Sequence, residues 1–148
     1  MVYSEEVKPK HKKKMNRATP SFHEGIVLPK IQPPDNDSKT TIGELKKLSK
    51  IEENDEFAEA MDDVTKTFKP YTEELGIQEY VEKVLKESVK YIMELKYHYN
   101  RPRPYQVAEF LNIDLNGSTM LDSMKTPSYP SGHAVQGYLI GEILYIIS

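Results

Sequence analysis

The strongest constraint on the fold is a helical periodicity between residues 77 and 99. Apolar or small side chains recur there at intervals of three or four residues: Ile77, Val81, Val84, Leu85, Ser88, Ile92, Leu95 and Tyr99. This spacing places them on one side of a helix, and the length of the series predicts about six turns. It is the cleanest helical signal in the sequence, and it fixes the place of the elements before and after it.

Two shorter helical series precede this helix. The first starts at Thr41 and contains Ile42, Leu45, Leu48 and Ile51, and the second contains Phe57, Met61, Val64 and Phe68. We expect Pro70 to close the second series. After the long helix, Pro102 and Pro104 disfavour the α conformation at the residue before each of them, so "NRPRPY" ends it. A short helix is predicted in 106–114, followed by a loop with a turn at Gly117.

From Ser131 onward the chain is apolar nearly all round, which predicts a helix buried inside a bundle. Gly137 and Gly141 lie one turn apart and would let a neighbouring helix approach closely. No strand alternation and no internal repeat is present, so we predict an all-α fold. The 148 residues suit one helical domain over 41–148, preceded by an irregular, partly disordered arm over 1–40 that holds half of the ten prolines.

Charge and composition narrow the function. Residues 1–30 carry seven Lys and Arg against three acids, whereas the remainder carries thirteen against twenty. The lysine cluster between Lys8 and Lys14 has no interleaved aromatics, which is typical of a solvated tail, so no nucleic-acid partner is expected. No cysteine is present, no secretory signal is visible and no segment is long enough to span a membrane. We expect a cytoplasmic or viral location rather than a periplasmic one, and leave homo-oligomerisation open.

The segment "TPSYPSGHAVQGY" starts the last helix with Ser131, Gly132 and His133. The first turn of a helix presents unpaired N–H groups and the positive end of its dipole, which together attract anions. Gly132 leaves room for a ligand, Ser131 adds a hydroxyl and His133 can donate a proton. The simpler interpretation is that Ser131 only caps the helix and His133 is a polar residue at its edge.

A second cluster, "KYHYNRPRP", places Lys96 in the last turn of the long helix and Arg103 on the proline-flanked segment. A lysine and an arginine together suit a phosphate dianion, and the prolines reduce the entropy lost when the arginine is fixed. A basic surface patch is the alternative.

Taken together, Lys96-x6-Arg103-Pro104 and Pro130-Ser131-Gly132-His133 resemble the first two signature motifs of the type 2 phosphatidic acid phosphatase superfamily, which includes bacterial class A acid phosphatases and vanadium haloperoxidases. The resemblance implies a helical bundle of that type and hydrolysis of a phosphorylated small molecule through a phosphohistidine. It further implies that Lys96, Arg103, Ser131 and Gly132 hold the phosphoryl oxygens and that His133 is the general acid. No metal or other cofactor is implied for a phosphatase, whereas a haloperoxidase would hold vanadate.

The family's third motif, which contains the nucleophilic histidine, is missing, since no histidine follows His133. His11 and His23 lie in the arm, and the side chain of His98 points about 200° around the helix from Lys96, so none is expected to replace it. The chain stops inside the apolar "ILYIIS", and we expect it to be a fragment of a longer phosphatase-like protein. Two alternatives stay open: a vanadium haloperoxidase and a non-catalytic phosphate-binding module. A membrane lipid phosphatase is disfavoured because the helices before residue 130 are amphipathic and charged.

Overall fold

A computed structural model describes residues 1–20, 28–115 and 121–147. Within these ranges the protein is all-helical and contains no strand, which confirms the predicted fold class. The helices are α1 (Pro9–Met15), α2 (Lys39–Leu48), α3 (Asp55–Met61), α4 (Val64–Glu74), α5 (Gln78–Tyr99), α6 (Pro104–Phe110) and α7 (Gly132–Ile147). A 3₁₀ turn at Asp122–Met124 lies between α6 and α7.

Helix α5 is the central element, and its observed bounds agree with the predicted helix over 77–99. It packs against α1, α4 and α7. Val81 and Leu85 of α5 form a buried cluster with Ile140 of α7, and α4 adds Val64 and Phe68 at its edge. Burying an aliphatic side chain such as Ile140, which is fully inaccessible, contributes about 2 kcal/mol, so this cluster fixes α7 on α5.

The predicted series from Phe57 to Phe68 is split between α3 and α4. The break occurs because the side chain of Asp63 accepts a hydrogen bond from Thr65 N–H, at 3.0 Å, and so begins a new helix. The expectation that Pro70 closes the region is wrong, since α4 continues through it to Glu74. Packing of the last turn outweighs the lost backbone hydrogen bond: Thr72 is almost fully buried there, and its hydroxyl donates to Lys69 O at 3.1 Å.

The arm over 1–40 is not irregular throughout, because α1 lies within it. Its anchor is His11, which is buried and whose Nδ1 lies 2.6 Å from the Tyr97 hydroxyl of α5. Tyr3 N–H also donates to Asn100 O, at 2.8 Å. The lysine cluster is therefore part of a helix docked on α5 rather than a solvated tail.

Helix α7 is present, as predicted, but it is not enclosed by a bundle. Only Ile140 is buried among its described side chains, whereas Tyr138 and Tyr145 are 70% and 80% exposed. The reason is that α4 and α5 are the helices that pack against it. A β-carbon on Gly137 would lie 3.6 Å from Val64 Cγ2 of α4, so the expected close approach occurs there, whereas no atom would lie within 4 Å of one on Gly141.

The short helix predicted after the prolines is α6, whose Val107 and Ala108 pack against Leu45 of α2. The turn expected at Gly117 lies outside the described residues. None of the helices in the described ranges is long and apolar enough to cross a membrane.

Candidate functional site

The end of α5 is fixed by local geometry. Asn100 adopts the left-handed conformation (φ 47°), and its N–H donates to Lys96 O at 2.8 Å, which closes the helix. The following residues are extended up to Arg103, which has φ −75° and ψ 155° and precedes α6. The Gln106 side chain accepts from Arg103 N–H at 2.9 Å. Lys96 and Arg103 therefore lie on the adjoining ends of two helices, where little backbone freedom remains.

Both cations bind the loop that leads into α7. Lys96 Nζ donates to Pro127 O at 2.7 Å. Arg103 Nε donates to Thr126 O at 2.7 Å, and Arg103 Nη2 donates to Ser123 O at 2.8 Å. These charge-assisted hydrogen bonds join the first sequence motif to the loop that precedes the second.

The first turn of α7 lies directly against α5. Ser131 caps this turn, since its Oγ accepts a hydrogen bond from Ala134 N–H at 3.2 Å. The interpretation of Ser131 as a helix cap is therefore confirmed. A β-carbon on Gly132 would lie 3.6 Å from Ile92 Cγ2 and 4.0 Å from Lys96 Cε. These are ordinary van der Waals distances, so the backbone of α7 at Gly132 lies close to the lysine side chain.

The predicted site residues share one cleft of about 380 Å³. Its wall contains the two cations and the start of α7, together with residues of α1, α5 and the 3₁₀ turn. The five predicted residues on it are Lys96, Arg103, Ser131, Gly132 and His133. Segments distant in sequence thus meet at a single concave surface, as ligand sites commonly do.

The cleft is electropositive. Lys96 is only 4% exposed, and burial together with the charge of Arg103 lowers its pKa to about 8. Burial also lowers the pKa of Arg103. Neither side chain forms an ion pair with a carboxylate of the described residues. Two partly desolvated cations side by side without a counter-ion favour the binding of an anion.

His133, the predicted general acid, lies at the exposed edge of the cleft and contacts the α3–α4 junction. Its Nε2 is 2.7 Å from Asp62 O and 3.5 Å from Asp62 Oδ1. Because a carbonyl oxygen can only accept, the hydrogen must be on Nε2. Ser123 Oγ donates to the same carboxylate at 2.6 Å, so Asp62 holds the histidine near the loop.

Sequence analysis did not predict Lys10, His11, Lys14 or Ser128 as residues of the cleft wall. His11 belongs to the arm that was expected to be irregular, but it lies in α1 and lines the cleft. The positions of Lys10, His11 and Lys14 are visible in the sequence. They indicate one side of a helix only once α1 is known to be helical. No sequence pattern marks Ser128 as a site residue. Its Oγ is nevertheless buried without a hydrogen-bond partner among the described residues. His98 is exposed and does not line the cleft, and His23 lies outside the described residues.

Fold and site together define an all-helical protein with a cation-lined cleft at the junction of α1, α5 and α7. Comparison with known proteins identifies no relative, since no family model, curated protein or solved structure matches the chain. Within the described ranges, no three His, Asp or Glu side chains are grouped so that they could hold a metal ion.

Proposed function

We propose that the cleft binds the phosphoryl group of a phosphorylated small molecule and belongs to a phosphoric monoester hydrolase of the acid phosphatase type. The observation that carries this proposal is the convergence of Lys96, Arg103 and the Ser131–His133 turn on one cleft. These residue types supply what phosphoryl transfer needs most, namely positive charge and positioned hydrogen-bond donors.

The donors available to a phosphate are specific atoms. The Lys96 ammonium group donates one hydrogen to Pro127 O, and the hydrogen bonds of Arg103 use Nε and Nη2. Arg103 Nη1 and two ammonium hydrogens therefore have no partner among the described residues. Ser131 Oγ and the Gly132 N–H at the start of α7 add further donors. A dianion held by these groups would also neutralise the buried cations.

His133 would act as the general acid. During attack on phosphorus, the bond to the ester oxygen breaks, and Nε2–H protonates the departing alcohol. To do so, the imidazole must exchange its contact with Asp62 O for one with the substrate. The attacking histidine of the family has no counterpart after His133. In this chain water would attack phosphorus in its place, forming the new P–O bond as the ester bond breaks and losing its proton to solvent.

Phosphate binding is the first test. Titration calorimetry with orthophosphate and with vanadate should show saturable binding to the wild type. Lys96→Met should weaken it at least about tenfold, the equivalent of one lost charged hydrogen bond. Lys83→Met, which removes an exposed lysine from the same helix, should change it by less than about twofold. Absence of binding to the wild type, or equal effects of the two variants, would refute the site.

Hydrolysis is the second test. With para-nitrophenyl phosphate as substrate, turnover that falls at least about tenfold in His133→Ala and Arg103→Ala would support the hydrolase. The missing histidine favours one alternative, a non-catalytic phosphate-binding module. Saturable phosphate binding without any turnover would select that module. Bromide oxidation in the presence of vanadate and peroxide would instead select the haloperoxidase.

A further inference from the structure

We infer that α1 extends the phosphate site, so that the cleft takes a ligand with two adjacent phosphoryl groups, the second of which binds Lys10 and Lys14. This inference rests on the proposed function for the first phosphoryl group, held by Lys96 and Arg103. It adds a second subsite, built by Lys10 and Lys14 outside both sequence motifs, for the distal phosphoryl group of a diphosphate.

The geometry of α1 selects these two lysines from its basic cluster. Residues four apart lie on the same side of a helix, and Lys10 and Lys14 both line the cleft, with His11 between them. Lys12 and Lys13 belong to the same helix but do not line the cleft; Lys10, like them, is exposed, and Lys14 is half-buried. One side of α1 therefore forms part of the cleft wall, and the other side is directed to solvent.

The charges in the wall are not balanced by acids. Asp122 is the one carboxylate on the described lining, and its Oδ1 already pairs with Lys125 Nζ at 2.8 Å. No ion pair of Lys10 or Lys14 is found among the described residues. The cations also act on one another: burial, Arg17 and Lys10 lower the pKa of Lys14, and burial and Arg103 lower that of Lys96. An anion bound between them would relieve this repulsion.

Charge and size both favour two phosphoryl groups over one. Lys96 and Arg103 together match the charge of a single phosphate dianion, which leaves Lys10 and Lys14 without a counter-charge. The cleft volume of about 380 Å³ lies in the range of about 300–1,000 Å³ that is typical of sites for whole small molecules. A second phosphoryl group uses both the remaining charge and the remaining space.

The test compares pyrophosphate with orthophosphate in calorimetric titrations of the intact chain and of two charge-matched double variants. We expect the wild type to bind pyrophosphate at least about tenfold more tightly than orthophosphate. Lys10→Gln with Lys14→Gln should abolish that preference while changing orthophosphate affinity by less than about threefold. Lys12→Gln with Lys13→Gln removes the same charge from the outer side of α1 and should preserve the preference.

The outcomes separate this inference from the proposed function. If orthophosphate binds and depends on Lys96, but pyrophosphate binds no more tightly, the inference fails and the proposed function stands. Equal loss in the two double variants would show only general electrostatic attraction and would also overturn it. If neither anion binds, both fail. Circular dichroism of each variant checks that α1 and its neighbours remain folded, and a parallel comparison of ADP with AMP tests whether the preference extends to diphosphate esters.

Discussion

At the scale of single residues, the buried ammonium group of Lys96 links stability to pH. Its pKa is about 8 in the folded protein, compared with the ordinary 10.5, so between these values the unfolded chain binds more protons. Stability must therefore rise as the pH increases through this window. We expect a gain of about 2 kcal/mol between pH 8 and pH 10 from this group, measured by urea unfolding as the difference between wild type and Lys96→Met.

The comparison with Lys96→Met removes the contributions of the tyrosines and of the other lysines, which are common to both proteins. Lys83→Met, on the exposed side of α5, should keep the wild-type pH dependence. If Lys96→Met also kept it, Lys96 would not be buried as described.

His11 links the stability of the protein to pH in the acidic range. Burial, followed by the charges of neighbouring lysines, lowers its pKa from 6.5 to about 4. Between these pH values His11 is more protonated in the unfolded chain than in the folded protein. Stability is therefore lost as the pH falls from 6.5 towards 4. Relative to His11→Asn, wild type should lose about 2 kcal/mol more stability between pH 7 and pH 5. His98→Asn, at an exposed position on α5, should retain the wild-type loss.

At the scale of elements, helices with a local signal were predictable and those held by distant contacts were not. Helix α5 has a stripe of apolar residues and ends before Pro102, so both its existence and its end could be inferred. Helix α1 has no apolar stripe; it is held by contacts with distant residues, among them His11 Nδ1 with the Tyr97 hydroxyl, 86 residues away, and Met15 O with the Lys90 ammonium group. The prediction at Pro70 was wrong because the burial of Thr72, two residues later, outweighs the local stop signal of the proline.

The two glycines of α7 allow a test of its one-sided packing. At Gly141 a methyl group meets no atom within 4 Å, and alanine is the better helix former, so Gly141→Ala should stabilise the protein by about 0.5–1 kcal/mol. At Gly137 the β-carbon already contacts Val64, so the longer side chain of Gly137→Leu should force α7 from α4 and cost about 1–3 kcal/mol. Urea unfolding measures both. Equal effects of Gly137→Leu and Gly141→Leu would show that α4 does not pack there.

At the scale of the whole molecule, the residues of the two motifs could be named from the sequence, but the cleft that they line could not. The two motifs could be named because each has a local pattern of charge, proline and glycine. Their meeting depends on carbonyl groups of the loop, such as Pro127 O, that no side-chain pattern encodes. The contribution of α1 to the wall, through Lys10 and Lys14, could not be inferred without its docking on α5.

Because the cleft joins α1, α5 and α7, an anion bound there should stabilise the fold as a unit. A ligand that binds only the folded state at about 100 times its Kd adds about 2.7 kcal/mol of stability. For a chain of this size that corresponds to a rise in Tm of about 5–10 °C, measurable by calorimetry with orthophosphate.

Arg103→Ala should abolish the rise, because the guanidinium both holds the loop at Thr126 O and faces the anion. The effect should also shrink above pH 8, where Lys96 loses its proton. An equal rise in Tm for wild type and Arg103→Ala would mean that phosphate acts through general salt effects rather than through this cleft.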